Sequence, residues 1–445
     1  MTKTKTDIPI NCTVLVVGGG PGGSYTAAAL AREKIDVVLL EADKFPRYHI
    51  GESMLPSFRH FLRYIDLEST FLNHGFTQKN GAAFKLVQDK REGYTDFISA
   101  GGPNNFTWNV IRSEADELMF QHAGRSGAKV FDGVKVNDFD FDDMTGHPRA
   151  ASYTQKASGS KGTINFQYLV DASSRAGLVN TKYTKDRTYN KTLKNIAHWG
   201  YWRGTRPYQE GMERDNSPFF EALKGLFSSV SEDESGWAWY IPLHDGTVSI
   251  GVVMNQELAT SKRSALSNTF CKEDHTLESF YSSSLELCPT MMQLISGGNL
   301  TGSVKSASDY SYSASTYSKP YVRVVGDAGC FIDPFFSSGV HIALTGALSA
   351  AVTICAALKG DCKEASAANW HTTKIQGVYQ RFLMVVLSAY HQMRRQDVGV
   401  WSQLGDDNFD EAFESIRVGE YACLNLVLID QNKWKAQDDR ASSAN

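Results

Sequence analysis

Cysteine is sparse: seven residues in 445, at Cys12, Cys271, Cys288, Cys330, Cys355, Cys362 and Cys423, with no Cys-x-x-Cys pair. That argues against a disulfide framework and against a zinc or other metal site, and it fits a reducing compartment. Basic charge is also not in excess. With 45 Lys and Arg against 49 Asp and Glu, the net charge is −4, and no basic stripe marks a nucleic-acid surface. The first residues, "MTKTKTDIPINC", lack an apolar signal region, so the expected location is cytoplasmic. Long hydrophobic runs are nearly missing. Residues 339–359 are long enough to cross a bilayer, but His341, Thr345, Ser349 and Thr353 interrupt an Ala-rich run. A buried helix is the expected reading, with no membrane span.

What is present is ordinary for a large soluble globular protein. The length allows about two or three domains. Aromatic residues reach 11%, with 8 Trp and 19 Tyr, which suits a pocket for a flat apolar ligand or simply a large core. Residues 12–43 read as strand, Gly-rich turn, helix, strand, and "TVLVV" has the continuous apolar character of a parallel strand buried on both faces. Helical spacing predicts a helix over 53–73 and another over 112–127. Short strands are expected over 80–110, a hairpin and a buried strand over 129–172, and more strands over 195–255. One more strand is expected at 320–326, and mostly helix over 366–435. No internal repeat is found.

Gly18, Gly20 and Gly23 form G-x-G-x-x-G directly after the first strand. The first allows a tight turn, the second lets backbone approach a pyrophosphate, and the third lets helix and strand pack closely. Glu41 ends the next strand about 20 residues on, where a carboxylate accepts ribose hydroxyls. Together these features predict dinucleotide binding.

The second half decides which dinucleotide. "VRVVGDAGCFIDP", 322–334, resembles the second FAD fingerprint of p-hydroxybenzoate-hydroxylase-like flavoproteins. That resemblance gives Asp327 the ribityl chain. "YLVDASSRAG", 168–177, resembles their middle motif, with Asp171 as its acid. Arg112 and Asp116 in "VIRSEAD" and Arg47 in "FPRYHIGES" fall where the family places flavin-contacting side chains. Each charge taken singly reads equally as a solvated side chain.

Three further stretches resemble the flavin-dependent halogenases, most of all the fungal enzymes that chlorinate phenolic polyketides. They are "FPRYHIGESMLPS" at 45–57, "GWAWYIPL" at 236–243 and "DPFFSSGVH" at 333–341. The resemblance runs from end to end, although the chain stops sooner than expected of fungal relatives. It implies reduced FAD, dioxygen and chloride as reactants, a separate flavin reductase as partner, and hypochlorous acid relayed to a lysine. Ser338 and Gly339, after Ser337, match the chloride turn; a plain helix cap by Ser337 or Ser338 is the other reading. Trp237 and Trp239 match the tunnel wall, with core packing as the alternative. Lys79, in "GFTQK", matches the lysine of phenol and pyrrole halogenases, whereas Lys85, in "AAFK", resembles that of tryptophan halogenases. Lys79 is preferred. Phe336 stands where tryptophan halogenases carry a Glu, which points to a phenol or enol instead of an indole.

The expected architecture is an α/β mixture. A Rossmann-like FAD-binding domain with a parallel sheet takes residues 1–85, 105–180 and 315–360. An antiparallel-sheet substrate region takes 86–104 and 181–314, and a helical region 361–445. Two alternatives stay open: a single-component aromatic hydroxylase of the same fold, which recruits NAD(P)H itself, and a non-catalytic flavoprotein.

Overall fold

The computed structural model describes residues 7–88, 90–212, 214–224, 236–269 and 276–394. The chain divides into two compact units. The first comprises Met1–Gln78, Thr107–Lys194 and Tyr310–Tyr379; the second comprises Lys79–Phe106, Asn195–Asp309 and Gln380–Asn445.

The first unit is built on an eight-stranded sheet. Its path runs Ser318–Lys319, Val322–Val324, Lys161–Asp171, Asn11–Val17, Val37–Leu40, Lys129–Phe131. The pairings on either side of Asn11–Val17 are parallel, with Val17 opposite both Asp171 and Leu40. Val14, Leu15 and Val16 are fully buried, as a strand covered on both faces requires. Val134–Phe141 and Pro148–Gln155 form the antiparallel extension that the alternation predicted. The helix Pro21–Arg32 lies against Ser338–Lys359, a helix long and apolar enough to cross a membrane. About two-thirds of its 18-residue apolar window is buried, as in a core helix, so its composition needs no bilayer.

The helix expected over 53–73 is two helices, Ser57–Tyr64 and Glu68–His74. Asp66 between them takes a left-handed conformation, φ +59°, which ends the first helical ladder. The apolar spacing continues across this break, so periodicity alone does not register it. Of the helix expected over 366–435, Glu364–Arg394 is observed, and the rest lies outside the described residues.

The second unit carries most of a seven-stranded sheet. Its order is Asn299–Ala314, Arg187–Arg203, Val248–Asn255, Trp237–Pro242, Phe219–Ala222, Gly81–Lys85, Gly93–Asp96. All its specified pairs are antiparallel except Phe219–Ala222 with Gly81–Lys85. That parallel pairing is why residues 79–85, grouped by sequence with the cofactor domain, fall in the second unit. Residues 361–379, grouped with a separate helical region, fall in the first. There Glu364 holds the buried Arg323 at 2.8 Å. Tyr240, Ile250, Phe280, Tyr281 and Met291 form the centre of the second unit's apolar core.

Candidate active site

In the first unit, the turn after the first strand is shaped for a close ligand. Gly18 has φ +105°, and a Cβ there would sit 2.1 Å from the Ala172 carbonyl oxygen. A Cβ on Gly23 would sit 1.8 Å from the carbonyl oxygen of Gly18. Neither position can hold a side chain, which is the geometry a pyrophosphate-binding turn demands. Gly20 is more open; the nearest atom to a Cβ there is Arg47 Nη2, at 3.4 Å. The helix starting at Pro21 has no side-chain cap, so its first N–H groups remain available to an anion. Glu41 accepts from the backbone N–H groups of Gly19 and Asp43, which fixes its carboxylate at the turn.

Arg47 and Arg112 share one carboxylate. Arg47 Nη1 reaches Asp116 at 3.0 Å, while Arg112 donates to both Asp116 oxygens at 2.8 and 3.0 Å. Burial pushes the Asp116 carboxyl up, but Arg112 and Arg47 outweigh it and hold it below its usual range. Arg112 Nη1 also donates to the carbonyls of Ile50 and Gly51, at 2.8 and 3.1 Å. The carbonyl of Ile50 takes a second bond from His49 Nδ1, at 2.6 Å.

Asp327 follows Gly326, whose φ is +62°. Burial raises its carboxyl above the ordinary value, although Arg175, Arg112 and Arg187 pull the other way. Among the described residues no hydrogen bond to that carboxylate is formed. A half-buried acceptor left open is the arrangement a hydroxyl-bearing ligand would complete. The crowded glycines, the fixed Glu41 and the open Asp327 therefore fit FAD. Asp171 is different: its oxygens accept from Ser173 N–H, Ser173 Oγ and Val179 N–H, so it braces its own loop.

The turn before the long helix is made of small residues. Ser337 has φ +55° and gives no side-chain cap to Ser338–Lys359, so the simple cap reading fails for Ser337. Ser338 is buried. A Cβ on Gly339 would meet nothing within 4 Å, so open space lies beside the uncapped N–H groups. One turn on, burial pushes the His341 imidazole down to about 4. The neutral ring bonds Ser57 Oγ at 2.7 Å.

The second unit holds the other predicted residues. Lys79 is 2% exposed, with its Nζ 5.1 Å from the centre of the Phe97 ring. Lys85 is half-buried and donates to Thr290 Oγ1 at 3.2 Å. Beside it, Glu221 accepts from the backbone N–H groups of Thr290 and Met291, capping the helix Pro289–Ile295. Burial raises the Glu221 carboxyl, and the Lys85 charge opposes that rise. Lys85 thus has a structural duty beside the helix Pro289–Ile295.

Trp237 and Trp239 are buried, with ring centres 5.8 Å apart. Trp237 Nε1 donates to Tyr390 Oη at 2.9 Å, and Trp239 Nε1 donates to Ser249 Oγ at 3.1 Å. Trp239 lies directly opposite Gly251, where a Cβ would fall 2.2 Å from the indole. Sequence reasoning did not single out Gly251, Ser249 or Tyr390. A glycine inside the strand "VSIGVVM" is the usual sign of a close neighbour; Tyr390 carried no such sign.

A profile of the family described as tryptophan halogenase matches residues 13–182 and 99–421. The chain belongs to the tryptophan halogenase family. A flavin-dependent halogenase of Acremonium egyptiacum, ascD, is 57% identical over 424 residues, covering 92% of this chain and 74% of that one. A sulochrin halogenase of Aspergillus terreus, gedL, is 50% identical over 426 residues, covering 92% and 75%. Among solved structures, the myxobacterial chondrochloren halogenase CndH, a variant of FAD-dependent halogenases, aligns with a TM-score of 0.76. Its identity is 27%, and 92% of this chain and 90% of that one are covered. As a member of this family the protein is an FAD-dependent halogenase, an oxidoreductase acting on a small molecule.

Proposed function

We propose that this halogenase chlorinates an electron-rich phenolic aromatic and that Lys79 delivers the chlorine. The observation that carries the assignment is the burial of Lys79, a lysine with its amine against an aromatic face. An amine held in that position is placed to hydrogen-bond an oxidant or to act as a nucleophile.

Gly18, Gly20, Gly23 and Glu41 would hold the pyrophosphate and ribose of FAD, with Arg47, Arg112 and Asp327 along the rest of its length. Reduced FAD, when bound, supplies the two electrons that activate dioxygen toward chloride. Ser338 and Gly339 would hold chloride by backbone N–H groups at the uncapped helix start. Lys79 hydrogen-bonds the resulting hypochlorous acid, or takes its chlorine as a chloramine with loss of water. Over the whole reaction ArH, chloride, dioxygen, reduced FAD and one proton give ArCl, FAD and two waters. Trp237 and Trp239 would exclude water and keep substrate from the flavin. A phenol suits Phe336, because the ring oxygen itself spreads the positive charge that an acidic side chain would otherwise balance. A 50%-identical relative named for sulochrin supports an aromatic natural product as the substrate class. The electrons would come from a separate reductase.

The test supplies purified protein, FAD, a flavin reductase, NADH and chloride or bromide to a dihydroxybenzoate-type lactone. A halogen isotope pattern in wild type, lost in Lys79→Ala while peroxide still forms, is expected. Addition of one oxygen without halogen would assign the chain to the aromatic hydroxylases.

A further inference from the structure

The geometry points to His49 as a positioning residue for FAD, whose ring Nε2 accepts a hydrogen bond from a hydroxyl or ring N–H of the cofactor. The inference rests on FAD binding in the first unit and adds a contact that the sequence motifs did not assign.

The argument is one of lone pairs. His49 Nδ1 lies 2.6 Å from the Ile50 carbonyl oxygen. A carbonyl only accepts, so Nδ1 carries the hydrogen. Arg112 Nη1 donates to the same oxygen from 2.8 Å. The Ile50 carbonyl is thereby held from two sides. In a neutral imidazole protonated at Nδ1, Nε2 is an acceptor. Neutrality follows from the neighbours. The Arg112 charge, then burial, push His49 down to about 4, against the weaker pull of Asp116. Nε2 therefore presents a lone pair, and no described residue takes it. The surroundings are those of the cofactor cradle. Two residues before His49, Arg47 faces Gly20; two residues after it, a Cβ on Gly51 would fall 3.0 Å from Arg112 Nη1. Crowding by cations favours an anionic, hydroxyl-bearing ligand along this stretch.

Two substitutions separate this role from a merely structural one. His49→Asn keeps a donor near Nδ1 and loses the acceptor at Nε2. His49→Gln places a carbonyl near Nε2 and loses the donor to Ile50. Titration of the apoprotein with FAD, followed by flavin fluorescence, reads affinity without turnover. The expected result is a Kd raised about tenfold in His49→Asn, the loss of one hydrogen bond, and a value within about threefold of wild type in His49→Gln. Wild-type affinity in His49→Asn would overturn the inference, as would the reverse order of the two variants. If wild type itself bound no FAD, the cofactor assignment would fall as well, which is a separate and visible outcome.

Discussion

Gly251→Ala is a small change with a calculable cost. The new methyl carbon would lie 2.2 Å from one indole carbon of Trp239 and 2.3 Å from the next. Ordinary contact requires more than an ångström beyond that, so either the indole or the strand must move. Overpacking of this kind costs about 1–3 kcal/mol. Displacing the indole also weakens its bond to Ser249 Oγ, worth about 1 kcal/mol. Against this, replacing glycine within a strand returns roughly 0.5–1 kcal/mol of backbone entropy. The net expectation is a loss of about 2 kcal/mol, or roughly 4–8 °C in Tm. Thermal unfolding followed by circular dichroism measures the loss, and the near-ultraviolet tryptophan signal should change with it. Gly377→Ala is the control. Nothing lies within 4 Å of its added carbon, and the helix Glu364–Arg394 should tolerate or welcome it. An unchanged Tm and unchanged tryptophan spectrum in Gly251→Ala would refute the packing argument. Under the proposed role of the tryptophans, the variant should also yield less halogenated product per NADH consumed.

Asp116→Asn leaves Arg112 and Arg47 without their shared anion; a loss of about 3–5 kcal/mol is expected by denaturant titration. Lys85→Met should keep halogenation and cost at most about 1 kcal/mol, because Lys85 serves the region of Glu221 and Thr290; loss of product in the mass-spectrometric assay would move the catalytic role from Lys79. His371 is fully buried between Ser349 Oγ and the Val324 carbonyl, and burial followed by Arg323 lowers it to about 3. The unfolded imidazole takes its proton near 6.5 and the folded one does not. Stability should therefore be full above about pH 6.5 and fall below it, by up to about 1.4 kcal/mol per pH unit for this group. His371→Gln should flatten that slope in unfolding measured from pH 7 to 5.

The glycine turn was legible because its demands are local. A glycine that cannot carry a Cβ leaves its mark at fixed spacing, and Gly18 and Gly23 are crowded where the motif says they must be. Arg112 and Asp116 stand four apart on one helix face, so their ion pair was within reach of the sequence too. Features that depend on distant partners were not legible. Lys79 and Lys85 both sit among apolar residues, and only the three-dimensional setting separates the buried amine from the one beside Thr290 and Glu221. Tyr390 is 153 residues from the Trp237 it holds. The break at Asp66 is a single backbone angle beneath an unbroken apolar pattern.

The helices Pro21–Arg32 and Ser338–Lys359 run in the same direction. Gly22 faces Ala343, Thr26 Oγ1 reaches the Ala347 carbonyl at 3.5 Å, and Glu33 meets Lys359 at 2.9 Å. Two parallel peptide dipoles side by side repel one another, with about half a positive charge gathered at each start. Those starts are the glycine turn and the small-residue turn. Negative charge arriving at either one relieves the repulsion for both. A pyrophosphate held in the first turn, as proposed, would act as an electrostatic tie for the helix pair. Under the proposed function the small-residue turn would hold the second anion, and the two anions would oppose each other through their mutual repulsion. Under the proposed assignments, binding of the dinucleotide and of the halide would in this way be linked through the backbone of the fold, with no side chain required to carry the message.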